Sequence, residues 1–236
     1  MHVDMWIDLA CPWSWLGLRH LRSALTHLRS TNTPGAENVE IRLRPHLLDP
    51  ALVETLDIPW SQYLIEYDNL EVAEALDFLA RIEALGASEG IAMDLNRLVV
   101  APTLRAHALL ALAREIDLET DSTTGPDILS IRLAEALFRA RFEMGLDLND
   151  DSVLIGCAQD VGIEGSEAHS AITDDILSTQ VHADIDWGRH MGIEGVPIMI
   201  LDEQFLVEGM QPLTATINVL TTALDAHKKT ADQENS

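Results

Sequence analysis

The cysteine-proline pair Cys11-Pro12 is the part of this sequence with the clearest potential for chemistry. It follows an alternating apolar segment, Val3 to Ile7, and precedes a segment with apolar residues every three or four positions. The thiol is therefore predicted at the end of a strand and at the N-terminus of a helix, since proline is favoured in a first helical turn. Backbone N–H groups and the helix dipole at such a place favour the thiolate, the form that attacks disulfides and electrophiles. A small buried core thiol is the alternative.

The elements that would position Cys11 come in a recognisable order. A strand, a helix and a second alternating segment from Val39 to Leu43 come first, and from Pro59 the apolar spacing becomes helical without strands. Two strands, predicted over 196–201 and 204–207, and a helix from Pro212 end the chain. This order predicts an α/β protein with a large helical insertion. It divides the chain into an N-terminal half, the insertion, a C-terminal half and a polar tail, over 1–58, 59–188, 189–228 and 229–236.

Two expectations concern the helices of the insertion. Val72, Ala75, Leu76, Leu79 and Ile82 are spaced as one apolar helix face. The segment 166–187 is predicted to be a single long helix that leads back to the sheet.

Several segments together resemble a known family. The sequence resembles the thioredoxin-like DsbA family, including FrnE-like oxidoreductases, 2-hydroxychromene-2-carboxylate isomerases and kappa-class glutathione transferases. The resemblance implies a thioredoxin fold, β-α-β and β-β-α, with an all-helical insertion between the halves. It covers nearly the whole chain and rests on residues 8–17, 106–107, 137–140, 192–197 and 207–212.

The resemblance also implies a set of site residues. The bond Val196-Pro197 would be a cis peptide that faces Cys11, and the Val196 backbone would pair with an extended thiol substrate. The alternative is an ordinary proline at the start of a strand. His107 would lie near the thiol, where an imidazole could stabilise a thiolate or bind a carboxylate, unless it bonds to a nearby backbone group. The expected catalytic residues are Cys11, Ser14 and Pro197, and the expected substrate-binding residues are Pro12, Trp13, His107 and Val196.

The sequence departs from the family at position 14. FrnE-like oxidoreductases resemble C-P-W-C, whereas Ser14 stands at the place of the second cysteine. Cys11 alone could attack a disulfide, but an external thiol would have to release the product. In the isomerase and kappa-class relatives the first position is usually serine and glutathione supplies the sulfur. Three hypotheses follow: a single-thiol oxidoreductase, a thiol-dependent isomerase or transferase, and a non-catalytic binding module.

Charge and cysteine content restrict the partners. The chain has 236 residues and a net charge of −24, which disfavours nucleic acids and anionic membranes. Its two cysteines have no metal-ligand spacing, so no metal site is expected, and Cys157 lies on an apolar helical stripe that favours packing. We expect a cytoplasmic protein without a tightly bound cofactor, with glutathione or another low-molecular-weight thiol as co-substrate. The expected partners are a small-molecule thiol or a protein disulfide, with a homodimer left open.

Overall fold

The core of the fold is a four-stranded sheet with the order β2-β1-β3-β4. The computed structural model describes residues 1–67 and 70–234, with side chains as far as residue 230. β1 pairs parallel with β2 and antiparallel with β3, and β3 pairs antiparallel with β4. The strands are β1 (His2–Ile7), β2 (Glu40–Pro45), β3 (Ile198–Leu201) and β4 (Phe205–Glu208).

Helices occupy most of the rest of the described chain. The first follows β1, the next seven lie between β2 and β3, and the last follows β4. The predicted thioredoxin fold with a helical insertion is thereby confirmed. The helices are α1 (Pro12–Ser30), α2 (Trp60–Glu66), α3 (Val72–Ser88), α4 (Leu104–Glu119), α5 (Leu129–Phe142), α6 (Asp151–Asp160), α7 (Gly165–Thr173), α8 (Asp175–His190) and α9 (Leu213–Glu234).

The two sides of β1 contact different helices. A side chain added at Gly17 of α1 would meet Met5, so α1 packs on the Met5 side of the sheet, where it also contacts α9. Trp6 points the opposite way and stacks on Trp187 of α8, with ring centroids 5.4 Å apart. The sheet is consequently covered by α1 and α9 on one side and by the end of the insertion on the other.

The predicted apolar face of α3 is partly wrong. Ala75, Leu79 and Ile82 are buried, but Val72 and Leu76 are 58% and 56% exposed. The buried stripe instead continues to Gly86, where the helix approaches Met93. Spacing alone assigned two exposed residues to the core because a wide apolar stripe does not identify which of its edges faces the protein.

The predicted single helix over 166–187 is also wrong. The chain breaks at Asp174, which has extended backbone angles and ends α7. Its carboxylate accepts a hydrogen bond of 2.6 Å from the Ile176 N–H, so Asp174 is the N-cap of α8.

The ends of two C-terminal elements differ from the sequence prediction. β3 begins at Ile198, two residues later than predicted, because Val196 and Pro197 precede the paired region. α9 continues to Glu234, into the segment 229–236 that was predicted to be a polar tail. The last two residues of that tail, 235–236, lie outside the described residues.

Two helical glycines test the contact between α8 and the sheet. A Cβ at Gly188 would lie 2.7 Å from Nε1 of Trp6, whereas a Cβ at Gly156 of α6 would meet nothing within 4 Å. We expect Gly156→Ala to raise the free energy of unfolding by about 0.5–1 kcal/mol through helix propensity. Gly188→Ala should lower it by about 1–2 kcal/mol because Trp6 cannot move away in a packed core. Urea denaturation of both variants measures this difference, and equal stabilisation of the two would contradict the packing described.

Candidate active site

Cys11 lies at the junction that the sequence predicted. It is the N-cap of α1, with φ −99° and ψ 113°, and Pro12 is the first helical residue. The Cys11 N–H donates to the Asp8 carbonyl at 3.0 Å, which holds the turn between β1 and α1. The cysteine is only 3% exposed, so α1 begins inside the protein and not at its surface.

The thiol of Cys11 faces the segment before β3. Its S–H donates to the carbonyl oxygen of Val196 at a distance of 3.5 Å. The Val196-Pro197 peptide is cis, as the family resemblance implied. A Cβ at Gly17 would lie 3.2 Å from the ring of Pro197, so α1 approaches this segment closely. Cys11, Val196 and Pro197 are therefore brought together from opposite ends of the chain.

The predicted lowering of the Cys11 pKa is wrong for this structure. Burial, together with a smaller contribution from the nearby Asp8 carboxylate, raises the pKa of the thiol to about 11. Hydrogen bonds from the Ser14 hydroxyl and from the first backbone N–H groups of α1 lower this pKa, but by less than burial raises it. Desolvation of a charge outweighs the helix terminus here. In this arrangement the thiol is protonated at neutral pH and acts as a hydrogen-bond donor.

Ser14 is fully buried beneath the thiol. Its Oγ accepts a hydrogen bond of 3.4 Å from the Asp8 N–H, and its backbone N–H donates to the Cys11 carbonyl at 3.1 Å. Ser14 is thus a buried residue and not a solvated serine of the first helical turn. The hydroxyl occupies the position from which a second thiol would act in a dithiol motif.

Asp8 joins the site to the insertion. Its Oδ1 accepts hydrogen bonds from the Ala10 N–H at 3.0 Å and from the Thr103 hydroxyl at 2.7 Å. Its Oδ2 accepts from the Leu48 N–H at 2.8 Å, and Nε2 of His107 lies 3.6 Å from Oδ1. Burial raises the pKa of Asp8, but His107 and the backbone donors outweigh this, and the net result is a lowered pKa. We call Asp8, Thr103 and His107 the Asp8 cluster.

His107 is therefore linked to Cys11 through Asp8 and does not contact the thiol directly. It is buried on α4, and its Nε2 has no hydrogen-bond partner within the described part of the chain. The imidazole stands beside the carboxylate that lies beneath the thiol, and no contact between His107 and Cys11 is observed. The alternative, a bond from the ring to nearby backbone, is not seen either.

Two buried basic groups near Asp8 were not identified from the sequence. The guanidinium of Arg141 is buried and donates to the Val99 carbonyl at 2.9 Å. Burial lowers its pKa to about 10, against the opposing effect of Asp8. Burial likewise lowers the pKa of His46, which follows β2. Neither residue belongs to a local motif, so only the folded chain shows that they neighbour the site.

The two tryptophans that flank the motif have different environments. Trp15 is fully buried, donates from Nε1 to Glu135 at 3.2 Å and stacks on Phe138 at 6.0 Å. Trp13 is only partly buried at the edge of the core. Trp15 is thus structural, whereas Trp13 keeps part of its ring exposed.

Cys157 stays apart from this chemistry. It is buried on α6, its Sγ lies 3.9 Å from the Ala136 carbonyl oxygen, and burial raises its pKa to about 11. Both cysteines are free thiols. This environment agrees with the predicted packing role.

Across residues 1–67 and 70–234, none of the helices is long and apolar enough to cross a membrane. The same residues contain no group of three or more histidine, cysteine or acidic side chains placed to hold a metal ion.

Solved structures similar to this chain fall into both functional groups of the resemblance. A probable DsbA oxidoreductase from Streptomyces coelicolor has 27% identity and a TM-score of 0.77, over 94% of this chain and 89% of its own. A 2-hydroxychromene-2-carboxylate isomerase has 14% identity and a TM-score of 0.62 over 99% of each chain. The cytosolic disulfide reductase DsbM from Pseudomonas aeruginosa, solved with GSH, has 16% identity and a TM-score of 0.62, over 95% and 100%. The last two likenesses show the fold alone.

The family of the chain is identified by a match to a family model. No curated protein sequence matches the chain significantly. The family model described as a DSBA-like thioredoxin domain matches residues 2–220, which include the cysteine, the insertion and the cis-proline segment. With the fold, the Cys11 junction and this match in agreement, the chain belongs to the DSBA-like thioredoxin domain family.

Proposed function

We propose that this protein is a thiol-disulfide oxidoreductase that acts through the single thiol of Cys11. The observation that carries the proposal is the placement of Sγ at the N-terminus of α1, 3.5 Å from the Val196 carbonyl oxygen. An extended substrate that pairs with the Val196 backbone would present its sulfur to Cys11 at this place. The 27% identity to a probable DsbA oxidoreductase supports the same function.

The proposed reaction has two balanced exchange steps. Cys11 attacks one sulfur of a mixed disulfide, a Cys11–sulfur bond forms as the substrate S–S bond breaks, and the leaving thiolate takes the proton that Cys11 gives up. A low-molecular-weight thiol such as glutathione then attacks the adduct, restores the Cys11 thiol and leaves as the new disulfide. Ser14 cannot perform this second step, because a hydroxyl does not displace a thiolate from a disulfide.

Because the pKa of Cys11 is raised, the first step requires that the thiol be activated. With a pKa of about 11, roughly one Cys11 thiol in ten thousand is ionised at pH 7. A substrate that pairs with Val196 competes for the carbonyl that accepts the S–H bond. Once the bond to this carbonyl is lost, the sulfur turns towards the Ser14 hydroxyl and the N–H groups of α1. These donors stabilise the thiolate. Substrate binding thereby activates a nucleophile that is protected in the free protein.

A thiol-dependent isomerase or transferase is the second candidate, and the same raised pKa favours it. A protonated Cys11 is a hydrogen-bond donor, as the serine of the isomerase-like relatives is. Cys11, Ser14 and the Val196 backbone would hold a bound thiol such as glutathione, whose sulfur would supply the nucleophile. We propose the cytoplasm as the compartment for either activity, supported by two cysteines that are free thiols.

The pH dependence of Cys11 alkylation tests the protected thiol. We expect the rate to rise about tenfold per pH unit from pH 7 to 10, because the thiolate is the reactive form and its pKa is about 11. Iodoacetamide labelling followed by peptide mass spectrometry separates Cys11 from Cys157, and circular dichroism confirms folding at each pH. A plateau below the free-thiol value of about 8.5 would show instead that Cys11 is already a thiolate at neutral pH.

Restoring the second thiol tests the single-thiol reaction. Wild-type protein treated with glutathione disulfide should keep one glutathione on Cys11 until a thiol removes it. Ser14→Cys should instead release glutathione and form an internal disulfide, because position 14 lies directly beneath the thiol. Ser14→Ala is the matched control and should retain the adduct. Intact mass distinguishes these species, and a persistent glutathione adduct on Ser14→Cys would argue against the resolving role of position 14.

Cys11→Ser separates the two enzyme candidates. An oxidoreductase should lose the glutathione adduct in this variant and show no reversible affinity for reduced glutathione by titration calorimetry. The isomerase-type site should bind reduced glutathione with an affinity within about threefold of wild type, since serine also donates a hydrogen bond. Absence of both an adduct and thiol binding in the wild type would leave the non-catalytic binding module.

A further inference from the structure

A cavity lies beside β2, between α4 and α8. Its volume is about 350 Å³, within the range of small-molecule sites in proteins. None of Cys11, Ser14 and Pro197 lines it, and the residue it shares with the thiol site is His107 of the Asp8 cluster. Its walls are aliphatic, including Ile7, Leu43, Leu110, Ala111, Leu118 and Val181.

One face of α4 forms a wall of this cavity. His107, Leu110, Ala111, Arg114 and Leu118 all line it, at helical spacings of three and four. His107 and Arg114 are seven residues apart, which places them roughly 10 Å apart along the helix. The cavity therefore has a polar group at each end and aliphatic side chains between them.

Arg114 is the cation at one end. It donates no hydrogen bond within the described residues, and the nearest carboxylate oxygen, on Asp184, is 4.0 Å away. Arg44, which also lines the cavity, differs because it bonds to Asp4 at 2.7 Å and lies over the Trp187 ring. The Arg114 side chain is 32% exposed, and burial of the rest lowers its pKa, so water and Asp184 compensate this cation in part.

His107 is the polar group at the other end. The residue is 3% exposed and its Nε2 has no hydrogen-bond partner among the described residues. Its Nε2 lies 3.6 Å from Oδ1 of Asp8, too far for a hydrogen bond, so the ring faces that carboxylate and keeps hydrogen-bonding capacity at the cavity wall.

Glu115 and Asp184 also line the cavity, and their carboxylates repel an anion that enters. In a chain with a net charge of −24, long-range attraction does not draw an anion in. Binding must therefore come from direct contact, and the planar guanidinium of Arg114 fits a carboxylate through paired hydrogen bonds.

We propose that this cavity binds a medium-chain aliphatic carboxylate. Its carboxylate pairs with Arg114, its chain packs between α4, α8 and β2, and a hydroxyl or carbonyl at the far end bonds to His107. The span of roughly 10 Å suits a chain of about eight to ten carbons. Among the described residues that line the cavity there is no phenylalanine, tyrosine or tryptophan, which favours an aliphatic chain over a flat ring system. The site does not depend on the function proposed for Cys11.

Titration calorimetry with decanoate, 10-hydroxydecanoate and decanamide tests this site on the full chain. We expect one decanoate per chain, at least tenfold weaker binding of decanamide, and tighter binding of 10-hydroxydecanoate. Arg114→Met should weaken decanoate at least tenfold. The matched control Arg81→Met, on the exposed surface of α3, should leave the affinity unchanged. Ala111→Leu should reduce binding by filling the cavity, with the fold checked by circular dichroism.

Other outcomes would overturn the assignment. No decanoate binding, equal affinity for the acid and the amide, or an unchanged affinity in Arg114→Met would exclude the carboxylate site. Cys11→Ser should bind decanoate as wild type does, and loss of binding in that variant would place the ligand at the thiol site. His107→Phe should remove the preference for 10-hydroxydecanoate, and a preference that survives this change would exclude the role of the ring. Failure of the Cys11 experiments would leave these results intact.

Discussion

The carboxylate of Asp8 is buried at the end of β1, and the surrounding structure is arranged to compensate it. A buried charge without donors is unstable, and Asp8 is only 1% exposed. The donors come from the turn before α1, from the loop after β2 and from the start of α4. Segments distant in sequence are therefore fixed relative to one another around a single side chain. The Asp8 backbone also bonds to Cys11 and Ser14, so the same residue fixes the position of the turn that carries Cys11.

This constraint explains why the helix terminus does not ionise Cys11. For an exposed cysteine at a helix N-terminus, the backbone N–H groups are the main influence on the thiol pKa, and they lower it. Cys11 is enclosed by Val196, Pro197 and the first turn of α1, and it stands above a carboxylate of the same sign as a thiolate. Burial and Asp8 both oppose ionisation, and the Ser14 hydroxyl recovers only part of the difference. The thiol is held at the N-terminus of α1 and kept protonated mainly by its burial, with a smaller contribution from Asp8.

The order of elements could be predicted from the sequence because each depends on a local period. Alternation at Val3 to Ile7 and the apolar repeat of α1 required no tertiary information, and the cis bond at Pro197 followed from the family resemblance. The break at Asp174 was missed because capping depends on backbone angles that the apolar pattern does not contain. The Asp8 cluster could not be assembled from spacing, since Thr103 and His107 approach Asp8 only in the folded chain. Arg114 gave no signal either, because an arginine on a helix is ordinarily solvated.

The position of α4 gives its polar residues a significance that their sequence pattern does not show. The helix contacts α5, α7, α8 and β2, so most of its surface is enclosed and has no single apolar face. The buried polar residues at this helix, Thr103, His107 and Asp117, are consequently not explained by solvation. Asp117 illustrates the structural solution, because its carboxylate accepts the Leu129 and Ser130 N–H groups at the start of α5. Thr103 is likewise satisfied by Asp8. His107 and Arg114 are the residues on the cavity side for which no such partner completes the hydrogen bonds within the described chain. Thr103 and Asp117 are therefore fully paired, whereas His107 and Arg114 face the cavity for which we propose a ligand.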